Sequence, residues 1–334
     1  MVILGSGGAR IVVAKQLRAS GGIWFSLNRT QFLLDPGPGA LVRMTGSRHR
    51  LNPTKLSGIL LSHRHLDHSG DVNNVIEAMT MGGTEPRGRL FAPADALGGD
   101  DPVVLKYVRP FLAQVVTLEE GGAYELGGVR FTCPVRHQHR GEVYGFRFQT
   151  GGLSADYADD ADDAGRRQKA EGGTGSSADY ADGTGQGQRA EAGIGSSADY
   201  ADSSGRPGGT AGLTLSYIAD TKYFPELAEH YRADVVIVNV VRPTSSELDH
   251  LSAPDAEELI RAIRPRLAVL SHFGMRMLAA RPWVVAREMS ERTGCKVVAA
   301  TDGMLVDLEE YKAPSLKPQA TSHQPRTSDK ELGA

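Results

Sequence analysis

The chain has 334 residues, 40% of them hydrophobic, and a formal net charge of −3. That length supports one large domain or two small ones, and the charge balance leaves no overall basic footprint for non-specific nucleic-acid binding. The two cysteines, Cys133 and Cys295, lie far apart and outside any metal-ligand spacing, which excludes a disulfide scaffold and a zinc ribbon. No apolar run approaches the roughly 20 residues of a membrane span, and MVILGSGGAR lacks the charged start and apolar core of an export signal. The expected compartment is a reducing cytoplasm.

In chain order, MVIL, IWFSL and FLLD read as strands separated by Gly and Asn/Arg clusters, and LDPGPGAL as a strand end followed by a tight turn. The glycines of LGSGGAR do not complete a dinucleotide loop. Position 10 is Arg where G-x-G-x-x-G needs glycine, and no suitable helix with a later acid is expected. GILLSH is a buried strand. GDVNNVIEAMTM fits a helix with Val72, Val75, Ile76 and Met79 on one face. RLFAP predicts a strand, PVVLKYVRPFLAQV a helix broken at Pro110, YELGGVRFTCPV a strand, and YGFRFQT another.

Composition then shifts. Residues 151–212 are Gly, Ser, Ala, Asp and Gln with almost no large aliphatics, and SADYAD recurs from Ser154, Ser177 and Ser197 at uneven spacing, unlike a solenoid. Such a segment cannot bury enough apolar surface to offset its ordering entropy, so a disordered low-complexity insertion is expected. LTLSYIADT resumes the strand pattern. FPELAEHY is a short helix and DVVIVNVV a fully buried strand. APDAEELIRAIR is amphipathic, with Ala256, Leu259, Ile260 and Ile263 on its apolar face. RLAVLSHF repeats the design of GILLSH, a buried strand delivering a histidine. PWVVAREMSERTG is a helix, KVVAATDG and MLVDL are strands, and 313–334 is a polar, Pro-rich tail expected to be disordered. β-rich stretches alternating with helices in two comparable halves predict an α/β fold of the αββα sandwich type, with helices covering the outer faces of two packed sheets. The expected organisation is a single domain over 1–312, interrupted by the insertion.

The stretch SHRHLDHSGD, Ser62 to Asp71, holds three histidines and two aspartates directly after a buried strand. In extended chain, residues i and i+2 face one way, so His63 and His65 are placed to bind one metal together. Asp67 and His68 follow where the chain turns toward a helix and point elsewhere. The spacing suits two adjacent metal positions. Imidazole and carboxylate suit zinc, iron or manganese, and packing these groups together without a metal would cost heavily in desolvation and repulsion.

This strand-then-HxHxDH pattern resembles the signature of the metallo-β-lactamase superfamily. Further residues of the resemblance follow in order: LGSGG, the LDPGPG turn at Asp35, His137 or His139 in RHQHRGEVYGF, Asp220 in SYIADT, and His272 in LAVLSHF. It covers nearly all of the chain outside the insertion and tail. The family layout implies that His63, His65 and one of His137/His139 bind one metal, that Asp67, His68 and His272 bind a second, and that Asp220 bridges them. Similarity to the ribonuclease Z branch, whose ligand stands six residues before a Gly-aromatic pair, favours His139, since Gly145 follows six residues later. Residues 137 and 139 face the same way in extended chain, so the spacing itself leaves both open. Two zinc ions per chain are expected, with manganese or iron as alternatives. His49, His230 and His323 receive no role.

His250, in LDHLSAPDAEEL, resembles the histidine that precedes a helix in ribonuclease Z and related phosphodiesterases, where it sits beside the metals and helps proton transfer. A plainer reading is a helix-entry residue before Ser252, whose Asp255 three residues on nearly forms a capping box. Two metals sharing a water lower its pKa and yield a hydroxide nucleophile, with Asp67 and Asp220 orienting it and His250 protonating the leaving group. The expected function is therefore a dinuclear metal-dependent hydrolase acting on a small-molecule or nucleic-acid phosphodiester, away from membranes, and compatible with a homodimer. The phosphodiesterase side rests on the His250 motif, LGSGG, SHFGMR and the terminal ATDG. No basic, Gly-rich arm of the kind that grips RNA is present. Alternatives are a lactonase or thioesterase of the same fold, a single-iron dioxygenase, or a binding protein with a dead site. The two-iron flavoprotein type carries Glu where this chain has His65, and every expected ligand position is filled, which disfavours the dead site.

YGFRFQT and LTLSYIADT flank the insertion and are able to pair as a hairpin. Deleting residues 153–211 and bridging the gap with a short Gly/Ser turn should leave melting temperature and metal content close to the parent. Loss of soluble expression would show that the segment is a structural element.

Overall fold

The computed structural model describes residues 1–150 and 212–312. The disorder expected for the insertion, Gly212 apart, and for the 313–334 tail, together with His323, lies outside the described residues. Within them the chain builds two seven-stranded sheets. The first contains β1 (Val2–Ile3), β2 (Ile23–Leu27), β3 (Thr30–Leu34), β4 (Gly58–Leu60), β5 (Arg89–Ala92), β6 (Gln114–Thr117) and β14 (Met304–Leu305), in the order β14-β1-β2-β3-β4-β5-β6. The second contains β7 (Ala123–Leu126), β8 (Val129–Thr132), β9 (Phe146–Gln149), β10 (Thr214–Ile218), β11 (Val235–Asn239), β12 (Leu267–Ser271) and β13 (Val297–Ala299), in the order β13-β12-β11-β10-β9-β8-β7.

The strand pleat sorts side chains into three apolar layers. Phe32 and Leu34 of β3 face inward and join Phe25, Phe131, Phe146, Phe148, Val235 and Val269 between the sheets. Leu33, with Ile59 and Leu90, faces outward onto α2 (Ala40–Thr45) and α4 (Val72–Met79), through Met44, Val72, Val75, Ile76 and Met79. On the outer face of the second sheet, Val236, Val238, Ala268 and Leu270 pack under α7 (Ala253–Ile263) and α9 (Pro282–Thr293), through Leu259, Ile260, Ala286 and Met289. Strands covered on both faces read as continuous apolar runs, as GILL, DVVIVNVV and RLAVL do. This is the αββα sandwich anticipated from the alternating pattern.

Several local expectations change. PVVLKYVRPFLAQV is not a helix: Lys106–Phe111 form a 3-10 turn with Pro110 inside, and Gln114–Thr117 is β6, paired in parallel with β5. Pro110 lacks the N–H that a continuing helix needs, and β-branched Val115 and Val116 favour the sheet. YELGGVRFTCPV is a hairpin, β7 to β8, that turns at Gly127, whose φ of 57° lies in the left-handed region glycine tolerates. The short helices α1 (Arg10–Ala14), α2 and α8 (Met275–Ala279) were not anticipated. With six or fewer residues they carry too little periodicity to register. α1 also means that a helix does follow LGSGGAR, although a five-residue one. The halves also interlock, since β7, β8 and β9 complete the second sheet and β14 closes the first.

β9 and β10 pair antiparallel, Gln149 opposite Thr214 and Phe146 opposite Tyr217. Thr150 Oγ1 exchanges hydrogen bonds with the Leu213 backbone beyond that ladder. The chain therefore leaves and re-enters the sheet at adjoining points of one hairpin. Among the described residues, no helix is long and apolar enough to cross a membrane.

Phe148 is fully buried and stands 5.6 Å from Phe25 and 5.4 Å from Phe32, ring to ring across the two sheets. Phe148→Ala should destabilise the protein by about 3–5 kcal/mol, seen as a lower urea midpoint at unchanged slope.

Candidate metal centre

The site forms beyond the carboxyl ends of strands from both sheets. β4 leads to His63, β10 to Asp220, and β12 to His272, the crevice where open α/β sheets place their ligands. Past β4 the chain bends at Ser62 and Arg64 and turns into α3 (Leu66–Ser69), which carries Asp67 and His68. This change of direction separates the two pairs, as the spacing implied. His63 and His65 meet His139, while Asp67 and His68 meet His272. Asp220 lies between the groups. Its Oδ2 is 3.9 Å from His63 Nε2 and 3.5 Å from His68 Nε2, and its Oδ1 is 3.4 Å from His272 Nδ1.

Three of the imidazoles, His63, His68 and His139, are oriented from behind. Asp35, at the end of β3 and 4% exposed, accepts from Ser62 N (2.7 Å), Ser62 Oγ (2.7 Å), Tyr217 Oη (2.8 Å) and His68 Nδ1 (2.9 Å). The one Ser62 hydroxyl proton goes to Asp35, so Ser62 Oγ accepts from His63 Nδ1 at 2.9 Å. Both histidines are thereby left with Nε2 aimed into the cluster. His139 Nδ1 donates to Asp249 O (2.8 Å), which leaves its Nε2 3.2 Å from His65 Nδ1. Asp67 accepts from Ala9 N at 3.1 Å, and Asp220 from Asn239 Nδ2 at 2.9 Å.

Two glycines let the walls close. A Cβ at Gly8 would fall 2.2 Å from the His272 ring, and one at Gly37 would fall 1.8 Å from Ser20 O and 2.1 Å from Asp67 O. The loop holding Gly8 is pinned by Asp302, which accepts from Ser6 N and Ala19 N, each at 2.9 Å. The ATDG stretch near the C-terminal end of the fold is thus a clamp on the LGSGG loop.

Burial and charge pull in opposite directions here. Burial, reinforced by the charge of His68, holds His63 well below its ordinary value. Burial would raise Asp220, but His272 and His68 overturn that and hold it well below the usual carboxylate range. Burial would likewise raise Asp67, yet His68 and the His272 hydrogen bond hold it down. Burial would lower His68, but Asp220, Asp67 and Asp35 lift it well above the ordinary imidazole value.

A cation suits this donor set better than a proton does. His63 Nε2 and His272 Nδ1 are buried with no hydrogen-bond partner. Donor separations are 2.9 Å (His68 Nε2 to His272 Nε2), 3.2 Å (His272 Nε2 to Asp67 Oδ2) and 3.2 Å (His65 to His139). Ligands on a tetrahedral zinc, with bonds of about 2.0–2.1 Å, stand about 3.3 Å apart. The residues therefore fit divalent metal.

The structure brings His139 to the cluster and turns His137 away. His137 is 3% exposed, with Nε2 2.7 Å from Tyr231 Oη and Nδ1 3.3 Å from Asp220 O. Burial pushes it down to about 3, so it is neutral. His250 Nε2 lies 3.2 Å from Asp220 Oδ2. Burial would lower His250, but its hydrogen bond to Asp220 and that carboxylate's charge raise it. Ser252 N and Oγ bond Asp255 Oδ2 at 2.8 and 2.6 Å, so the capping box and the site histidine coexist. His49 lies against Gly303 O and His230 is on α6 (Leu227–His230), neither among the metal groups. Sequence reasoning missed the orienting tasks of Asp35, Ser62, Tyr217 and Asn239. A signal existed, since Asp35 and Asn239 are lone polar residues ending apolar strands.

Asp35→Asn removes the charge that orients His68 while keeping the volume. Metal affinity should fall roughly 10–100-fold, measured by competition with a chromophoric chelator, while the circular dichroism stays native.

Residues 30–171 match the beta-lactamase superfamily domain. An uncharacterized protein of Methanocaldococcus jannaschii is 26% identical over 326 residues, which span 95% of this chain and 98% of that protein. The metallo-beta-lactamase fold protein YhfI from Bacillus subtilis superposes with a TM-score of 0.57 at 15% identity, covering 91% of this chain and 96% of that one. A diphosphatase from the PhnP family superposes with a TM-score of 0.54 at 16% identity, covering 91% and 94%. At such identities the two structures share the fold. With two sheets in this arrangement and a matched domain over residues 30–171, the chain has the metallo-β-lactamase fold.

Proposed function

We propose that the protein is a dinuclear metal-dependent hydrolase acting on phosphodiester-type substrates, with a small phosphodiester or RNA as the bond-bearing molecule. The carrying observation is the pair of three-donor groups with the Asp220 carboxylate between them, together with two buried imidazole nitrogens lacking any hydrogen-bond partner. In this reading His63, His65 and His139 would hold one cation and Asp67, His68 and His272 the other, with Asp220 positioned between the two groups. Zinc suits the ligands best; manganese and iron are accommodated by the same chemistry. When bound, such cations would supply an activated water as nucleophile and Lewis-acid stabilisation of the electrophile.

The chain's own residues do the rest. Asp67, braced by Ala9 N, is placed to orient the nucleophile. His250, partly exposed and 3.2 Å from the Asp220 carboxylate, which raises its pKa against the effect of burial, stands where it could deliver a proton to a departing oxygen. A cleft of about 520 Å³ opens beside His65, lined by Arg64, Leu66 and Val103 among others, and supplies room for substrate. The phosphodiester assignment is supported by His250 at the shared carboxylate and by the fold held in common with a PhnP-family diphosphatase.

Elemental analysis of protein purified without added metal should give about two transition-metal ions per chain. His68→Ala or Asp220→Ala should lower that occupancy and abolish hydrolysis of bis-p-nitrophenyl phosphate. Folded protein with only trace metal would overturn the assignment, and activity on lactones or thioesters alone would move the substrate class.

His250→Ala should retain both metals and lose roughly 10²–10⁴-fold in turnover. The loss should shrink on p-nitrophenolate esters and be full on alkyl esters, whose leaving group needs the proton. Equal losses on both would assign His250 to steadying an oxyanion.

A further inference from the structure

His137 is a buried histidine that the chemistry above does not use, and its surroundings are specific. Its Nδ1 faces the backbone oxygen of Asp220 at 3.3 Å, and its Nε2 faces Tyr231 Oη at 2.7 Å. A carbonyl oxygen only accepts, so Nδ1 carries the proton and Nε2 is the acceptor. Tyr231 must then donate its hydroxyl proton to Nε2. The result is a one-directional chain: Tyr231 to His137, and His137 to Asp220.

The chain is tightly enclosed. Tyr231 is fully buried, and a Cβ at Gly145 would fall 2.5 Å from its hydroxyl and 2.6 Å from Tyr217 O. Only glycine lets the phenol reach His137. Two further bonds stitch the same segments together: Gln138 N to Thr221 Oγ1 at 3.1 Å, and Lys222 N to Gln138 O at 3.0 Å. The segment carrying His139 is therefore fastened to the segment carrying Asp220, with His137 as the innermost tie.

We propose that His137 and Tyr231 are positioning residues: they hold the Asp220 backbone, and so fix where its carboxylate stands between the two cation positions relative to His139. This rests on the reading of Asp220 as the carboxylate shared by both cations. The side chain of Asp220 has its own anchor in Asn239. The His137 tie adds a second anchor on the main chain, and two anchors define the orientation that one would leave free to swing.

The test uses the full-length chain loaded with cobalt(II), whose visible bands report ligand geometry. Tyr231→Phe keeps the ring and removes the hydroxyl. His137→Leu removes both ties, and His137→Asn keeps a donor near the Nδ1 position. Tyr231→Phe and His137→Leu should weaken binding of one cobalt equivalent by roughly 10–100-fold and shift the visible bands. His137→Asn should restore affinity to within about threefold of the parent. Apoprotein melting curves establish that each variant is folded. If His137→Leu does not fold, Tyr231→Phe and His137→Asn still decide the matter. Parent-like affinity and bands in folded Tyr231→Phe and His137→Leu would overturn the brace while leaving the dinuclear site intact. A parent protein that binds no metal would instead overturn the site reading, and the brace with it.

Discussion

The structure turns on the burial of the Asp220 carboxylate. It is 2% exposed and surrounded by the imidazoles of His63, His68, His250 and His272. Removing such groups from water costs several kcal/mol per ion unless each is paired and hydrogen-bonded. Every neighbouring feature answers that cost. Asn239 donates to one oxygen, the rings of His68 and His250 stand 3.5 and 3.2 Å from the other, and His63 Nε2 and His272 Nδ1 are left without hydrogen-bond partners. Metal binding at such a site would release protons, because a cation can be held only by imidazole lone pairs that carry none.

The sandwich makes that burial feasible by presenting strand ends from two sheets to one crevice. Neither sheet holds the full donor set. The first supplies His63, His65, Asp67 and His68 after β4, and the second supplies Asp220 after β10 and His272 after β12. Asp35 spans the interface: it ends β3 in the first sheet, yet accepts from Tyr217 of β10 in the second. One carboxylate therefore fixes the imidazole of His68 and the registry of the sheets together. Loops tighten the arrangement, with Asp302 holding the Gly8 loop against His272 at contact distances that exclude any side chain at Gly8.

Positive φ angles occur at Asp35 (51°) and His272 (63°), two of the non-glycine residues in the left-handed region. Both lie at the cluster, where the surrounding contacts over-determine their conformation and the backbone accepts the strain of a sparsely populated well. At Asp35 that turn aims the carboxylate at Ser62 and His68. At His272 it aims the ring over Asp67 and His68, against Gly8.

The sequence by itself determined the strands buried on both faces, the helices longer than about two turns, and the grouping of His63 with His65 apart from Asp67 with His68. These follow from periodicity and local stereochemistry, which act over a few residues. It also marked Asp220, His250 and His272 as polar residues next to apolar runs, once the resemblance supplied an order for them. Tertiary structure alone decided the rest. Residues 137 and 139 face the same way in extended chain, so only the packing of Tyr231 and Asp249 sends one to Asp220's backbone and the other to His65. The orienting work of Asp35 and Asn239, and the strand made by Gln114–Thr117, depend on partners distant in the chain. Those pairings come from the way the two sheets close on each other, which no window of local sequence contains.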